Sequence, residues 1–225
     1  MFHPVDHPME RGWVGRIDGD NVIHLAAQTL QSFFTGGGSA REHAIYLRVE
    51  TRLLAPVLHP PAVRIFADQG SFEFANPSAI VGPDAEIPSH QDPLVLLPRI
   101  AAVIGREGRV EGFTAFAEWR SVGLRAPKDR DFAFGLGPVV VTADELDPDG
   151  LEAAVAIDGS ERLRGAFRDF DWELARHLAA DRTVLKPGDL LVGPALGTVD
   201  GLGPGSSMTL ELAGIGALTQ IVAGD

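Results

Sequence analysis

The sequence predicts a mainly β fold with few helices, in the α+β class. Turn-forming residues are abundant, with 26 glycines and 16 prolines in 225 residues, which is typical of short strands joined by tight turns. Segments 12–25 and 151–165 carry alternating apolar residues around an Asp-Gly pair, the pattern of a β-hairpin. The best helical periodicity is confined to one short segment, 171–182.

The N-terminal part predicts a small β domain that ends in a linker. The hairpin at 12–25 is followed by apolar residues at helical spacing over 26–34, and the triple glycine at 36–38 is a helix-ending signal. Leucines and prolines over 53–61 predict a linker, because proline offers no backbone N–H to a sheet. We therefore assign residues 1–55 to this domain and its linker.

The remainder, 56–225, predicts a β-rich main domain. Apolar runs of strand length and alternating apolar residues predict its strands, and one aspartate at a capping position predicts its helix. They are strands at Ala62–Phe66 and Arg99–Ile104, the hairpin over 151–165, a helix after Asp171, and two alternating strands on either side of Gly214.

Charge and composition exclude several classes of function. The chain has 19 Lys and Arg against 31 Asp and Glu, a net charge of -12, which disfavours nucleic acid as a partner. Charged residues make up 22% of the chain, and no uninterrupted apolar stretch predicts a membrane span. The absence of cysteine excludes disulfides, thiolate metal sites and a cysteine nucleophile. The N-terminal residues lack the pattern of a secretory signal, so we expect a cytoplasmic protein.

Several short motifs, in this order from about residue 12 to 222, resemble the fumarylacetoacetate hydrolase family. They are GWVGRIDGDNVIHL, NPSAIVGP, AAVIGREGRV, GFTAF, Lys128 and Asp131 in a K-x-x-D pattern, AIDGSERLRG, LKPGDLLVGPALG and GIGAL. The resemblance implies a mixed β-sandwich or roll behind a small N-terminal β domain, and a homodimer formed by the larger domain. It implies C–C hydrolysis, decarboxylation or tautomerisation of small 2-oxo acids or β-dicarbonyls at a bound Mg²⁺ or Ca²⁺.

The metal ligands that the resemblance implies are mostly missing. The two glutamates of the family's E-x-E pattern fall on Leu97 and Arg99, and the family's aspartate falls on Glu118. Mg²⁺ prefers several oxygen ligands, and one remaining carboxylate supplies too few. We therefore expect no divalent metal at this position and no other cofactor.

The family's catalytic lid, an N-Y-x-x-H-x-x-E segment, is also missing. Only about nine residues separate Phe66 from Asn76, and none is a histidine. His90 is then the nearest candidate base, with chance placement as the alternative. Asn76 stands where the family has a lysine, and Pro194 stands where it has a threonine.

Two pairs of residues have both a functional and a structural interpretation. Arg99 and Glu118 are either remnants of an active site or, as we predict, a salt bridge that fills the vacated metal position. Strand alternation turns Arg99 to the side where the lost ligands pointed. Lys128 and Asp131 either orient a substrate carbonyl or form a solvated pair in a turn.

Two functional hypotheses follow. In the first, the protein is an enzyme for small oxo acids without a metal, with Glu118, Lys128 and Arg99 as catalytic residues and with Asp131 and Asn76 binding substrate. In the second, it is a pseudoenzyme that binds a ligand or pairs with a competent subunit. The expected partners are a small oxo acid and a second copy or a related subunit.

Overall fold

The structure is a computed structural model that describes residues 1–89 and 92–224, and β-strands predominate in it. This confirms the predicted class. The first strands are β1 (Phe2–Pro4), β2 (Gly15–Asp18), β3 (Asn21–Ala26), β4 (Ser39–Leu47), β5 (Thr51–Leu53), β6 (Val63–Phe66), β7 (Phe72–Ala75), β8 (Ile80–Val81) and β9 (Glu86–Ile87). They are followed by β10 (Leu94–Ile104), β11 (Val110–Ser121), β12 (Phe134–Thr142), β13 (Glu152–Ile157), β14 (Ser160–Ala166), β15 (Leu190–Val192), β16 (Val199–Leu202), β17 (Ser207–Leu212) and β18 (Gly216–Val222). The helices are α1 (Leu30–Phe34) and α2 (Trp172–Ala180), and short 3₁₀ turns lie at Arg48–Glu50, Pro77–Ala79 and Arg106–Gly108.

Two small sheets form the N-terminal part, one of β1 and β5 and one in the order β2-β3-β4. The predicted hairpin is confirmed as β2 and β3. The predicted helix over 26–34 was too long, because Ala26 still pairs with Ser39 at the end of β3. The helix starts only after Thr29, which forms a reciprocal capping box with Ser32.

An eight-stranded and a five-stranded sheet form the rest of the described chain. The larger has the order β7-β6-β15-β10-β11-β12-β8 with β16 on β10, and the smaller has the order β14-β13-β17-β18-β9. Both are mixed, since β15 pairs in parallel with β6 and β18 pairs in parallel with β9. The main apolar core includes Ile100 of the larger sheet and Leu210 of the smaller.

The larger sheet is buried on both faces near its centre. A second apolar cluster, containing Val63, Phe116 and Val192, covers the face opposite the main core. Side chains alternate along β10, so Ile100 points into the main core whereas Arg99 lies on the other face. Strand β10 begins at Leu94, well before the predicted start at Arg99, and pairs along its length with β11.

The other predicted elements of the main domain are confirmed. The hairpin of β13 and β14 turns at Asp158 and Gly159, whose φ angles of 51° and 75° are those of a tight hairpin turn. Asp171 caps α2 by accepting a hydrogen bond from Leu174 N at 2.9 Å. The C-terminal strands β17 and β18 pair on either side of Gly214.

The sheets divide the chain close to the predicted boundary. Within residues 1–89 and 92–224, strands up to Leu53 pair only in the two small sheets, and strands from Val63 onward pair only in the two large ones. Leu30 and Phe34 of α1 nevertheless pack against the second apolar cluster. A boundary at residue 55 stays a prediction. No helix in the described part of the chain is long and apolar enough to cross a membrane.

Candidate functional site

A buried carboxylate, that of Glu118 on β11, is the centre of the candidate site. Its Oε2 accepts a hydrogen bond from Arg99 Nε at 2.7 Å. The side chains are 5% exposed for Arg99 and 0% exposed for Glu118, so water hardly screens their attraction. The predicted salt bridge between these two residues is confirmed.

The guanidinium of Arg99 also binds two backbone carbonyls. Its Nη1 donates to Phe66 O at 3.2 Å and to Gly193 O at 2.9 Å. Phe66 ends β6 and Gly193 directly follows β15, so the carboxyl ends of two parallel strands converge on this cation. Burial lowers the pKa of Arg99, and the charge of Glu118 opposes that effect.

Two further arginines surround the same carboxylate. Arg120 Nε and Nη2 lie 2.7 Å and 2.6 Å from Glu118 Oε1, and Arg130 Nη1 lies 4.0 Å from it. Their side chains are 33% and 17% exposed. We call Arg99, Arg120 and Arg130 the arginine cluster. Arg130 also binds Glu73, and this hydrogen bond and charge lower the pKa of Glu73.

Sequence analysis missed Arg120 and Arg130. Arg120 could have been found, because a residue two positions after Glu118 on a strand points to the same face. Arg130 lies between Lys128 and Asp131, which the family motif singled out. The carbonyls of Phe66 and Gly193 carry no signal in a sequence, since every residue has such a group.

The residues at this position do not fit a divalent cation. Leu97 lies opposite Glu118 in the pairing of β10 with β11 and has no donor atom in its side chain. Both oxygens of Glu118, and the carbonyls of Phe66 and Gly193, accept hydrogen bonds from guanidinium groups. Within residues 1–89 and 92–224, no group of three or more His, Asp or Glu side chains is arranged to hold a metal ion.

Asn76, Lys128 and Asp131, predicted to act on substrate, lie together. Lys128 Nζ donates to Asp131 Oδ2 at 2.9 Å, and Asn76 Nδ2 donates to Asp131 O at 3.2 Å. The Asn76 side chain also caps a 3₁₀ turn through Ser78 N. Lys128 is 72% exposed, and in the described structure it forms no hydrogen bond or ion pair with Arg99 or Glu118.

Lys128 and Asp131 border a cavity of their own. Its volume is about 150 Å³. Its other lining residues are Pro88, Ser89, Asp92, Ser121, Leu124 and Phe132. The structure thus places the predicted residues in two groups, a buried group at Glu118 and an exposed group at Asp131.

A short connection follows β6 at the place where the family resemblance implies a lid. Gln69 Nε2 donates to Asp171 O at 2.8 Å, and Asp171 N donates to Gln69 Oε1 at 2.8 Å. The carboxylate of Asp68 accepts hydrogen bonds from Gly70 N and Ser71 N in the same loop. This loop is therefore tied to the start of α2. His90, the candidate base, lies outside the described residues.

Comparison with known proteins agrees with this architecture. The profile of the fumarylacetoacetate (FAA) hydrolase C-terminal family matches residues 62–223, which include both large sheets. The chain therefore belongs to the fumarylacetoacetate hydrolase family. A maleylpyruvate hydrolase of Aquipseudomonas alcaligenes is 28% identical over 170 residues, which are 67% of this chain and 58% of that enzyme.

Two solved structures share the fold at low identity. Fumarylacetoacetate hydrolase from Exiguobacterium antarcticum superposes with a TM-score of 0.79 at 20% identity, covering 96% of both chains. Maleylpyruvate hydrolase from Sphingobium sp. SYK-6, solved with manganese(II) and pyruvate, gives a TM-score of 0.78 at 18% identity, covering 96% of this chain and 98% of that one. These likenesses establish the fold of the described chain.

Proposed function

We propose that this protein is a metal-independent member of its family that binds a small oxo acid beside the arginine cluster. The observation that carries the proposal is the place of the Arg99 guanidinium. It is held by Glu118 and by the carbonyls of Phe66 and Gly193, where the family resemblance puts a cation. Relatives named as maleylpyruvate hydrolases support an oxo acid as the ligand class.

The arginine cluster has donors left for a ligand. Arg99 uses Nε and Nη1, whereas its Nη2 makes no hydrogen bond with a described residue. Arg120 adds a guanidinium that is one third exposed, at 33%. Guanidinium groups bind carboxylates through planar pairs of donors, and fixed positive charge stabilises an enolate. Glu118 is buried with both oxygens bonded, so in this proposal it positions the arginines.

Binding without turnover is the second candidate function. The observation that favours it is the lack of a free general base in the loop after β6, residues 67–71. Asp68 is the only ionisable residue of this loop, and its carboxylate accepts hydrogen bonds from the loop's own backbone. A general base must lie within hydrogen-bond reach of the proton that it removes. In this alternative the fold serves as a binding subunit, either as a homodimer or beside a related subunit, and light scattering of the purified protein tests that assembly.

Calorimetry in EDTA tests the ligand and the metal together. We expect oxalate and pyruvate to bind in EDTA, without any free divalent ion, and we expect Mg²⁺ added in excess of the EDTA not to increase the affinity. Arg120→Gln should weaken oxalate binding, whereas Arg16→Gln, which changes an exposed arginine of the N-terminal sheet, should not. Binding that requires Mg²⁺ or Mn²⁺ would contradict the proposal.

Turnover assays then separate the two candidates. Oxaloacetate decarboxylation and acylpyruvate hydrolysis, both measured in EDTA, report the two bond cleavages expected of the family. Activity that is lost in Arg120→Gln supports the enzyme. Saturable oxalate binding with no activity on either substrate supports the binding subunit.

A further inference from the structure

A second cavity lies across the larger sheet from the arginine cluster. Its volume is about 190 Å³. Ile100 lines it, and since Ile100 follows Arg99 on β10 the two side chains point to opposite faces. The other lining residues are Pro148, Asp149, Ala166, Phe167, Arg168, Phe170, Trp172, Gly193, Pro194, Ala195 and Leu196.

Aromatic rings form a fixed wall of this cavity. Phe170 and Trp172 lie edge to face with centroids 4.8 Å apart, and the centroids of Phe113 and Trp172 are 5.2 Å apart. A Cβ atom on Gly193 would lie 3.1 Å from Cη2 of Trp172, so the glycine lets the indole lie close to the turn. A cavity of about 150 Å³ has room for benzene, so this one of about 190 Å³, which is open to solvent and lined by both polar and apolar groups, has room for a single ring with a short polar substituent.

One cationic side chain stands at the rim of the cavity. Arg168 is exposed, and it forms no ion pair or side-chain hydrogen bond with any residue of the described ranges. The other charged lining residue, Asp149, accepts a hydrogen bond from Asp169 N at 3.2 Å. That bond leaves the charge of Asp149 in place, so an anionic group at the mouth is attracted where it lies nearer the free donors of Arg168 than this carboxylate.

We propose that this cavity binds a small aromatic carboxylate, with the ring against Trp172 and the carboxylate on Arg168. The site is distinct from the arginine cluster, because β10 separates the two. Gly193 borders both, since its carbonyl accepts a hydrogen bond from Arg99 and the residue also lines this cavity. The inference does not depend on the proposed oxo acid function.

NMR titration of the 225-residue chain with phenylacetate tests the site. We expect the indole N–H resonance of Trp172, but not that of Trp13, to shift saturably with added phenylacetate. Saturation should need millimolar phenylacetate, because a ligand of this size binds weakly. Ala195→Leu should abolish them by filling the cavity, and Ala217→Leu, the same change at an exposed position, should not. Arg168→Gln should weaken phenylacetate by up to about fivefold, while Arg162→Gln leaves it unchanged.

Neutral and cationic analogues decide the ligand class. Phenylacetamide should bind Arg168→Gln and the unmodified protein equally, and phenethylamine should bind most weakly of the three. Tighter binding of phenethylamine, or shifts that survive Ala195→Leu, would overturn the proposal. Repeating the phenylacetate titration in saturating oxalate separates the two sites. Unchanged phenylacetate binding supports a cavity distinct from the arginine cluster. Competition between oxalate and phenylacetate refutes the distinct cavity.

Discussion

Arg99 Nε lies 2.7 Å from Glu118 Oε2 at the buried centre of the larger sheet. The pair provides a cation that is covalently part of the chain, at the position where the family resemblance implies a bound ion. A carboxylate is costly to bury unless its charge is paired. The guanidinium therefore accounts for the presence of a fully buried carboxylate at position 118.

Removing the cation of this pair should destabilise the fold strongly. Arg99→Leu leaves Glu118 buried beside only Arg120 and the more distant Arg130. We expect a loss of about 3 to 5 kcal/mol in the free energy of unfolding. Urea denaturation followed by tryptophan fluorescence measures it.

The double variant Arg99→Leu, Glu118→Leu should recover part of that loss, because it also removes the buried carboxylate whose Oε2 has lost its partner, while Arg120 loses its own partner. The control is Arg16→Leu, which breaks a pair with Glu42 whose side chains are 55% and 51% exposed. It should cost about 1 kcal/mol or less. If Arg99→Leu lost no more stability than Arg16→Leu, the buried-pair interpretation would be refuted.

Carboxylates introduced at positions 97 and 99 should create a metal site. The variant Leu97→Glu, Arg99→Glu places two carboxylates on the face of β10 that Glu118 faces, and three carboxylates suit Mg²⁺ or Mn²⁺. We expect its melting temperature to rise with added Mn²⁺, whereas that of the unmodified protein stays constant. Micromolar Mn²⁺ binding by the unmodified protein, abolished in Glu118→Ala, is the opposite result.

The N-terminal sheet should become less stable in acid. His24 stacks on Trp13 with centroids 4.7 Å apart, and His43 lies at 5.4 Å. Burial, and then the charge of His43, lower the pKa of His24. The folded state therefore binds fewer protons than the unfolded state below about pH 6.5, so stability falls as pH drops through that range.

The check is the protection factor of the β2 and β3 amides at pH 5 and at pH 8, that is, the hydrogen-exchange rate of each amide relative to that of an unfolded chain at the same pH. His24→Phe keeps an aromatic ring on Trp13 and should reduce the acid sensitivity. His59→Phe, at an exposed histidine outside this cluster, should leave it intact. Equal sensitivity in all three proteins would assign the effect to other groups.

The loop after β6 should loosen when its tie is removed. Gln69→Ala deletes the two hydrogen bonds with Asp171, at a cost of about 1 kcal/mol for each. We expect faster hydrogen exchange at Gly70 and Ser71 and at the first turn of α2. Ser71→Ala, which alters the same loop but leaves those bonds in place, should show the original rates.

Much of the fold could be predicted because local signals agree with the final pairing. The Asp-Gly turn at 158–159 and the Asp171 cap each act within a few residues, so sequence alone places β13, β14 and α2. The helix at 26–34 was overestimated because Ala26 pairs with Ser39, a contact made by a neighbouring strand. Sheet order depends on such distant contacts and could be expected only from the family resemblance.

For the site, the family resemblance put Arg99 and Glu118 at neighbouring ligand positions, and alternation along the strand of Arg99 gave the direction of its side chain, so their contact could be predicted. The carbonyls of Phe66 and Gly193 could not be predicted, since they meet Arg99 only after β6 and β15 pair. The roles of Lys128, Asp131 and Asn76 toward a substrate remain predictions.

The reciprocal bonds between Gln69 and Asp171 also set how often this loop leaves the helix. Two exposed hydrogen bonds stabilise the attached loop by about 2 kcal/mol in all, which corresponds to a detached fraction of roughly one molecule in thirty. Any ligand that needs the loop out of its way would therefore bind with an apparent affinity lower by about that factor than its affinity for the detached form.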